Sequence, residues 1–102
     1  MIVYNVTVNI DESIVDDWLT WMQEIHIQEV MKTGIFVKSQ LNRVIVQGDT
    51  GETYAIGYTC ESMKDFHHYQ VNFAPDLQKK HLERYGKKVV AFRTLMEVVK
   101  EY

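Results

Sequence analysis

The chain has a single cysteine and a single proline, few glycines, no long apolar run and no surplus of positive charge, and each scarcity removes a class of protein. Cys60 has no second cysteine to pair with, so no internal disulfide staples the fold. One proline and five glycines in 102 residues fit neither a fibrous nor a disordered chain. No apolar stretch approaches the roughly 20 residues that a membrane helix needs, so no membrane association is expected. A formal charge of −3 and a pI near 5.7 offer no broad basic field to grip nucleic acid or an anionic bilayer. The N-terminus lacks the basic-then-apolar pattern of a secretory signal, and the expected compartment is the cytoplasm.

What is present is a globular balance, 46% hydrophobic against 25% charged residues. It suits one domain over residues 1–102, burying roughly 65% of the surface its unfolded form exposes. Ile2, Tyr4, Val6, Val8 and Ile10 alternate with Val3, Asn5, Thr7 and Asn9, the period of a half-buried strand. Ser13 with Asp16 three residues on predicts an N-cap. The helix that follows carries Ile14, Val15, Trp18, Leu19, Trp21, Met22, Ile25 and Val30 on one arc and stops at Gly34. Phe36 to Val46 reads as a second strand, and Gln47 to Glu52 as a hairpin loop into a third strand, Thr53 to Cys60. Glu61-Ser62-Met63-Lys64-Asp65 repeats the first helix start. The second helix breaks near Pro75, restarts at Asp76 and runs to Tyr85, and the last strand is Lys88 to Val99.

Strand-helix-strand-strand-helix-strand with right-handed crossovers predicts an α+β, ferredoxin-like βαββαβ fold: a four-stranded antiparallel sheet with both helices on one face. The last strand is apolar on both sides, with Val90, Phe92, Thr94, Met96 and Val98 on one and Ala91, Arg93, Leu95 and Val99 on the other. A partly apolar uncovered face predicts a homodimer through the sheets.

The pattern resembles the dimeric α/β-barrel superfamily, in which ferredoxin-like protomers pack sheet against sheet. Within it the chain is similar to a family of short bacterial proteins called domain of unknown function number 4286. The likeness spans nearly the whole chain and rests on Tyr4-Asn5-Val6-Thr7-Val8-Asn9-Ile10, Trp18-Leu19-Thr20-Trp21-Met22 with His26-Ile27, Thr33-Gly34 and Ala91-Phe92-Arg93-Thr94-Leu95. The family implies no activity. The superfamily includes cofactor-free monooxygenases and haem-degrading enzymes, and implies a pocket between helices and sheet. The haem-degrading branch uses a first-strand asparagine, a tryptophan and an iron-binding histidine on the second helix. Asn5 or Asn9 and His81 match the first and third, but both tryptophans here lie on the first helix. No haem or other cofactor is expected.

His26 lies inside the apolar arc of the first helix, and His81 lies between Leu77 and Tyr85 at helical spacing on the second. Each is either a core histidine held by one hydrogen bond or the acid-base group of a pocket. Trp18, Trp21, Tyr54, Tyr58, Phe66, Tyr69 and Phe73 are either plain core or the wall of a ligand site. Arg93, flanked by apolar residues, either pairs with an acid across the dimer or binds an anionic group of a ligand, and Arg43 invites the same two readings. His67 and His68 fall off the apolar stripe, no metal-ligand set is completed, and Cys60 reads as core. The expected function is therefore a homodimer binding a small apolar or aromatic molecule, with Trp18, His26, Tyr58, Tyr69, His81 and Arg93 as candidate lining. His26 and His81 are the candidate bases of a cofactor-independent oxidation or proton transfer. The alternative is a structural or regulatory interaction module.

Overall fold

A computed structural model describes residues 1–45 and 50–102. Val46 and most of the expected hairpin loop, Gln47 to Asp49, lie outside the described residues. The alternation of the first segment produces β1 (Ile2–Ile10), whose Ile2, Tyr4, Val8 and Ile10 are buried on one side. β1 pairs antiparallel with β3 (Glu52–Cys60) on one side and with β4 (Val89–Glu97) on the other, and β2 (Lys38–Val44) pairs antiparallel with the outer side of β3. The order β2-β3-β1-β4 is that of the ferredoxin-like sheet.

The first crossover begins differently from the serine cap that the sequence suggests. Asp11 is the capping residue: its Oδ1 accepts from the Ser13 backbone N–H at 2.9 Å and from the Ser13 hydroxyl at 2.6 Å. With its hydroxyl donating to Asp11, Ser13 sits inside a tight 3₁₀ turn, Glu12–Ile14, ahead of α1 (Val15–Trp21). The helix then widens into a π turn, Met22–His26, before resuming as α2 (Ile27–Lys32) and stopping at Gly34, whose φ is +77°. In an α-helix each four-residue step drifts about 40° around the axis. The wider turn takes part of that drift back, so Met22, His26 and Val30 all face inwards. Ile25, expected on the buried arc, is instead 45% exposed.

Phe36 is buried against Tyr58 and Tyr69 and starts no strand; β2 begins two residues later. The second crossover has the serine cap predicted for it, Ser62 Oγ accepting from the Asp65 N–H at 3.2 Å at the head of α3 (Met63–Asn72). The break falls at Phe73 (φ −123°, ψ −40°), one residue earlier than the proline argument places it, and α4 (Ala74–Tyr85) carries Pro75 in its first turn, where a missing N–H costs nothing.

The helices and one sheet face enclose an aromatic core. Trp18 packs on Tyr54 at 5.4 Å between ring centroids, and Phe66 on Tyr4 at 5.0 Å. The other face is open: Met96, Thr94, Phe92 and Val90 stand opposite Val3, Asn5, Thr7 and Asn9, with Phe92 61% and Val90 67% exposed. Among the described residues no helix is long and apolar enough to cross a membrane.

Gly51 enters β3 with φ +75°, and a Cβ there would lie 2.5 Å from the Ile10 carbonyl oxygen, whereas Gly34 faces open space at a similar φ. The left-handed region alone costs a side chain about 1–2 kcal/mol. Gly51→Ala should therefore lower unfolding stability in urea by more than Gly34→Ala; equal losses would contradict the close approach of the loop to β1.

Candidate functional site

Between the two layers lies a cavity of about 40 Å³, room for a few water molecules. Its apolar lining comes from Val6, Val8, Ile56 and Ala91 of the sheet and from Met22, Val30 and Leu77 of the helices. Into this setting seven polar-tipped side chains converge from six different elements: Tyr4 from β1, His26 from the π turn, Tyr58 from β3, Tyr69 from α3, Gln78 and His81 from α4 and Arg93 from β4. Trp18, the sixth candidate, does not reach the cavity and stands behind His81. Tyr4, Tyr69, Gln78 and Arg93 also border a groove of about 200 Å³ that continues past Phe66, Ala74 and Leu95. These four side chains form the throat between cavity and groove.

The two histidines differ in what binds them. Trp18 is fully buried, and its indole N–H, which can only donate, gives a 2.9 Å hydrogen bond to His81 Nε2. His81 is thereby fixed as the neutral tautomer with its proton on Nδ1, and its one lone pair is already used. With Nε2 occupied, His81 has its Nδ1–H left to donate. His26 stacks on Trp21 at 4.9 Å and lies 5.8 Å from the His81 ring. Its Nδ1 is sealed from solvent and has no hydrogen-bond partner. Leaving such a group unpaired costs about 1–3 kcal/mol. Its position at the end of a π turn, a feature frequent at functional sites, makes it the centre of interest. Burial, then the neighbouring His81 ring, pushes the His26 imidazole down to about 4, and burial followed by the Arg93 charge lowers that of His81. Both rings are neutral at pH 7.

Burial also raises the Tyr58 and Tyr69 phenols, which therefore stay protonated and can donate. Arg93 Nε donates to the Tyr4 hydroxyl at 2.9 Å. Arg93 stands opposite Val6, on the helix-facing side of β4, and so points away from the open face through which a second copy would pack. Arg43 has an acid within its own chain, Glu52, at 3.3 Å. The remaining aromatics of the expected wall, Trp21, Tyr54, Phe66 and Phe73, pack in or against the core and do not line the cavity. Asn5 and Asn9 bond to Thr7 and Thr53 on the open face, so they do not share a site with His81. Cys60 is fully buried, His67 and His68 are exposed, and among the described residues no cluster of three or more His, Cys, Asp or Glu side chains could hold a metal ion.

Tyr4 and Gln78 were not singled out from the sequence. Tyr4 carried a faint signal, a polar tip on the buried side of a strand, and Gln78 lies three residues from His81 and so on its helix face.

Residues 1–99 match the family model described as Domain of unknown function (DUF4286). No protein of curated function matches the sequence. Among solved structures, HapK from Hahella chejuensis superposes with a TM-score of 0.75 at 11% identity, covering 100% of this chain and 97% of HapK. A dimeric ferredoxin-like protein from an uncultured marine organism gives 0.74 at 10% identity, over 100% of this chain and 98% of its own. A mutant form of SnoaB, a cofactor-independent oxygenase from Streptomyces nogalater, gives 0.68 at 8% identity, over 98% and 94%. At such identities the likeness establishes the ferredoxin-like fold alone.

Two measurements follow from the histidine pair. His26 takes up its proton more readily in the unfolded chain, near pH 6.5, than in the folded one, near pH 4, in the company of His81, Glu29, Lys80 and Arg93. Its contribution to stability is complete above about pH 6.5 and is lost as the pH falls towards 4. Urea midpoints should drop less between pH 7 and 4.5 for His26→Phe than for the unmutated chain; parallel profiles would contradict a buried neutral ring. A double-mutant cycle of Trp18→Phe with His81→Phe should show a coupling of about 1 kcal/mol or more, and additivity would deny the hydrogen bond.

Proposed function

Since the chain belongs to the family of the Domain of unknown function DUF4286, whose description carries no activity, we propose its function from the site: it is a cytoplasmic homodimer that binds a small, largely apolar molecule between helices and sheet. The observation that carries this reading is the convergence of His26, Tyr58, Tyr69, His81 and Arg93, with Tyr4 and Gln78, on one small cavity. Mere core packing has no use for so many polar tips, one of them an orphaned imidazole nitrogen. Homodimer formation is supported by the exposed Val90, Phe92 and Met96 of β4, and by the similarity to ferredoxin-like proteins described as dimeric.

Where the ligand is turned over, the asymmetry of the histidines assigns the roles. His26, neutral at pH 7, is the ring left to accept a proton from the ligand, a transfer that calls for an acidic ligand because burial holds this imidazole down to about 4. His81 Nδ1–H and the Tyr58 and Tyr69 hydroxyls are donors available to the anion so formed. Such an anion can pass one electron to dioxygen, the oxidant, and the two radicals combine through a new C–O bond to a peroxide without metal or flavin; SnoaB, of similar fold, is described as a cofactor-independent oxygenase. A second reading, an interaction module whose aromatics only fill the core, is favoured by the small volume of the cavity and the exposed β4 face.

Native mass spectrometry of the purified chain separates the two. The binding reading predicts a dimer with a retained small molecule, an adduct at least tenfold less abundant in His26→Phe, and conversion to monomer in Phe92→Glu. A dimer free of adduct, together with unchanged or increased stability of His26→Phe, would favour the module. A monomer at micromolar concentration would remove the sheet-to-sheet dimer.

A further inference from the structure

The chain has three arginines, and two of them, Arg43 and Arg84, pair with carboxylates of Glu52 and Asp17. Arg93 is the exception. Its Nε is tied to the Tyr4 hydroxyl, and among the described residues no Asp or Glu forms an ion pair with it. The bond from Nε orients the guanidinium and leaves the two terminal nitrogens, an edge able to make a bidentate carboxylate contact, without a protein acid. A second copy packed on the open sheet face would lie on the far side of the sheet from it.

The surroundings suit an anion that carries a ring. None of the side chains along the groove, Phe66, Tyr69, Ala74, Gln78 and Leu95 among them, is acidic, so nothing competes for the cation. Tyr69 holds its proton and lies beside Arg93 at the throat. Tyr4, accepting from Arg93, has its own O–H free to donate. The groove volume of about 200 Å³ exceeds the roughly 150 Å³ of an engineered apolar cavity that takes up benzene, so it has room for one ring with short substituents. The inner cavity, at about 40 Å³, admits only a small group or a few waters.

We propose that the groove at Arg93 is a carboxylate site for a monocyclic aromatic acid, with the carboxylate held by the Arg93 guanidinium at the throat and the ring lying against Phe66, Tyr69 and Leu95. This names the ligand class of the function proposed above and rests on that reading for the site, but it requires no turnover.

The test uses the full, ¹⁵N-labelled chain titrated with sodium benzoate and, separately, with benzamide, which has the same shape without the charge. Benzoate should shift the amide signals of Tyr69, Gln78, Arg93 and Leu95, bind at least tenfold more tightly than benzamide, and weaken as salt is added. Arg93→Gln should reduce benzoate to the affinity of benzamide, and Arg93→Lys, which keeps the charge but not the planar fork, should fall between. Equal binding of the two probes to the unmutated chain, or an Arg93→Gln variant that keeps its benzoate affinity, would overturn the carboxylate assignment while leaving an apolar ligand site standing. If neither probe shifts a throat residue, the assignment and the ligand-binding reading fall together. Should Arg93→Gln not fold, the contrast between benzoate and benzamide on the unmutated chain still decides the matter.

Discussion

An indole N–H can donate a hydrogen bond and do nothing else, and Trp18 is buried to the last atom. Its proton goes to His81 Nε2, a residue 63 positions away on the second helical crossover. That single bond ties α1 to α4 above the sheet and uses the only lone pair of a neutral imidazole. In the proposed function it also divides the roles, since the ring that is tied is a fixed donor and the ring beside it, His26, is left to act. The π turn supplies the complementary half, bringing His26 back onto the row of Met22 and Val30 where an unbroken α-helix would have carried it away.

Because the polar tips of the cavity come from six elements, the site exists only when the whole βαββαβ arrangement is assembled. β1, at the middle of the sheet, supplies the apolar floor and Tyr4, while the edge strand β4 contributes Arg93 on one face and Phe92 on the other. One strand thus serves two surfaces, and its doubly apolar character follows from that double duty. The cavity holds little more than a few waters, so any bound molecule must keep most of its bulk in the groove beyond the throat.

Much of this was legible in the sequence because it depends on local period. The alternation of β1 matched its strand residue for residue, Ser62 and Gly34 marked the ends they appeared to mark, and the two faces of β4 were sorted correctly. His26 was placed inwards on the assumption of a regular helix, yet it faces the cavity through a π turn that no residue-by-residue propensity announces, and Ile25 is turned to solvent by the same shift. The first cap was assigned to Ser13 because a serine followed by an acid satisfies the pattern equally well whether it accepts or donates; only the geometry shows Asp11 accepting from it. The break between α3 and α4 was drawn near Pro75, at Ala74, although a proline is at ease in a first turn and the chain bends at Phe73. The pairing of Trp18 with His81 and the gathering of Tyr4 and Gln78 at the throat are tertiary facts with no local signature.

The central claim is the division of labour between the two histidines, and long-range ¹H–¹⁵N correlation spectra of the labelled imidazole rings test it most directly. The account predicts that His81 shows the Nδ1–H tautomer with Nε2 as acceptor at pH 7, and that His26 stays neutral until the pH approaches about 4. A His81 ring protonated on Nε2, or a His26 that titrates near the ordinary 6.5, would contradict it.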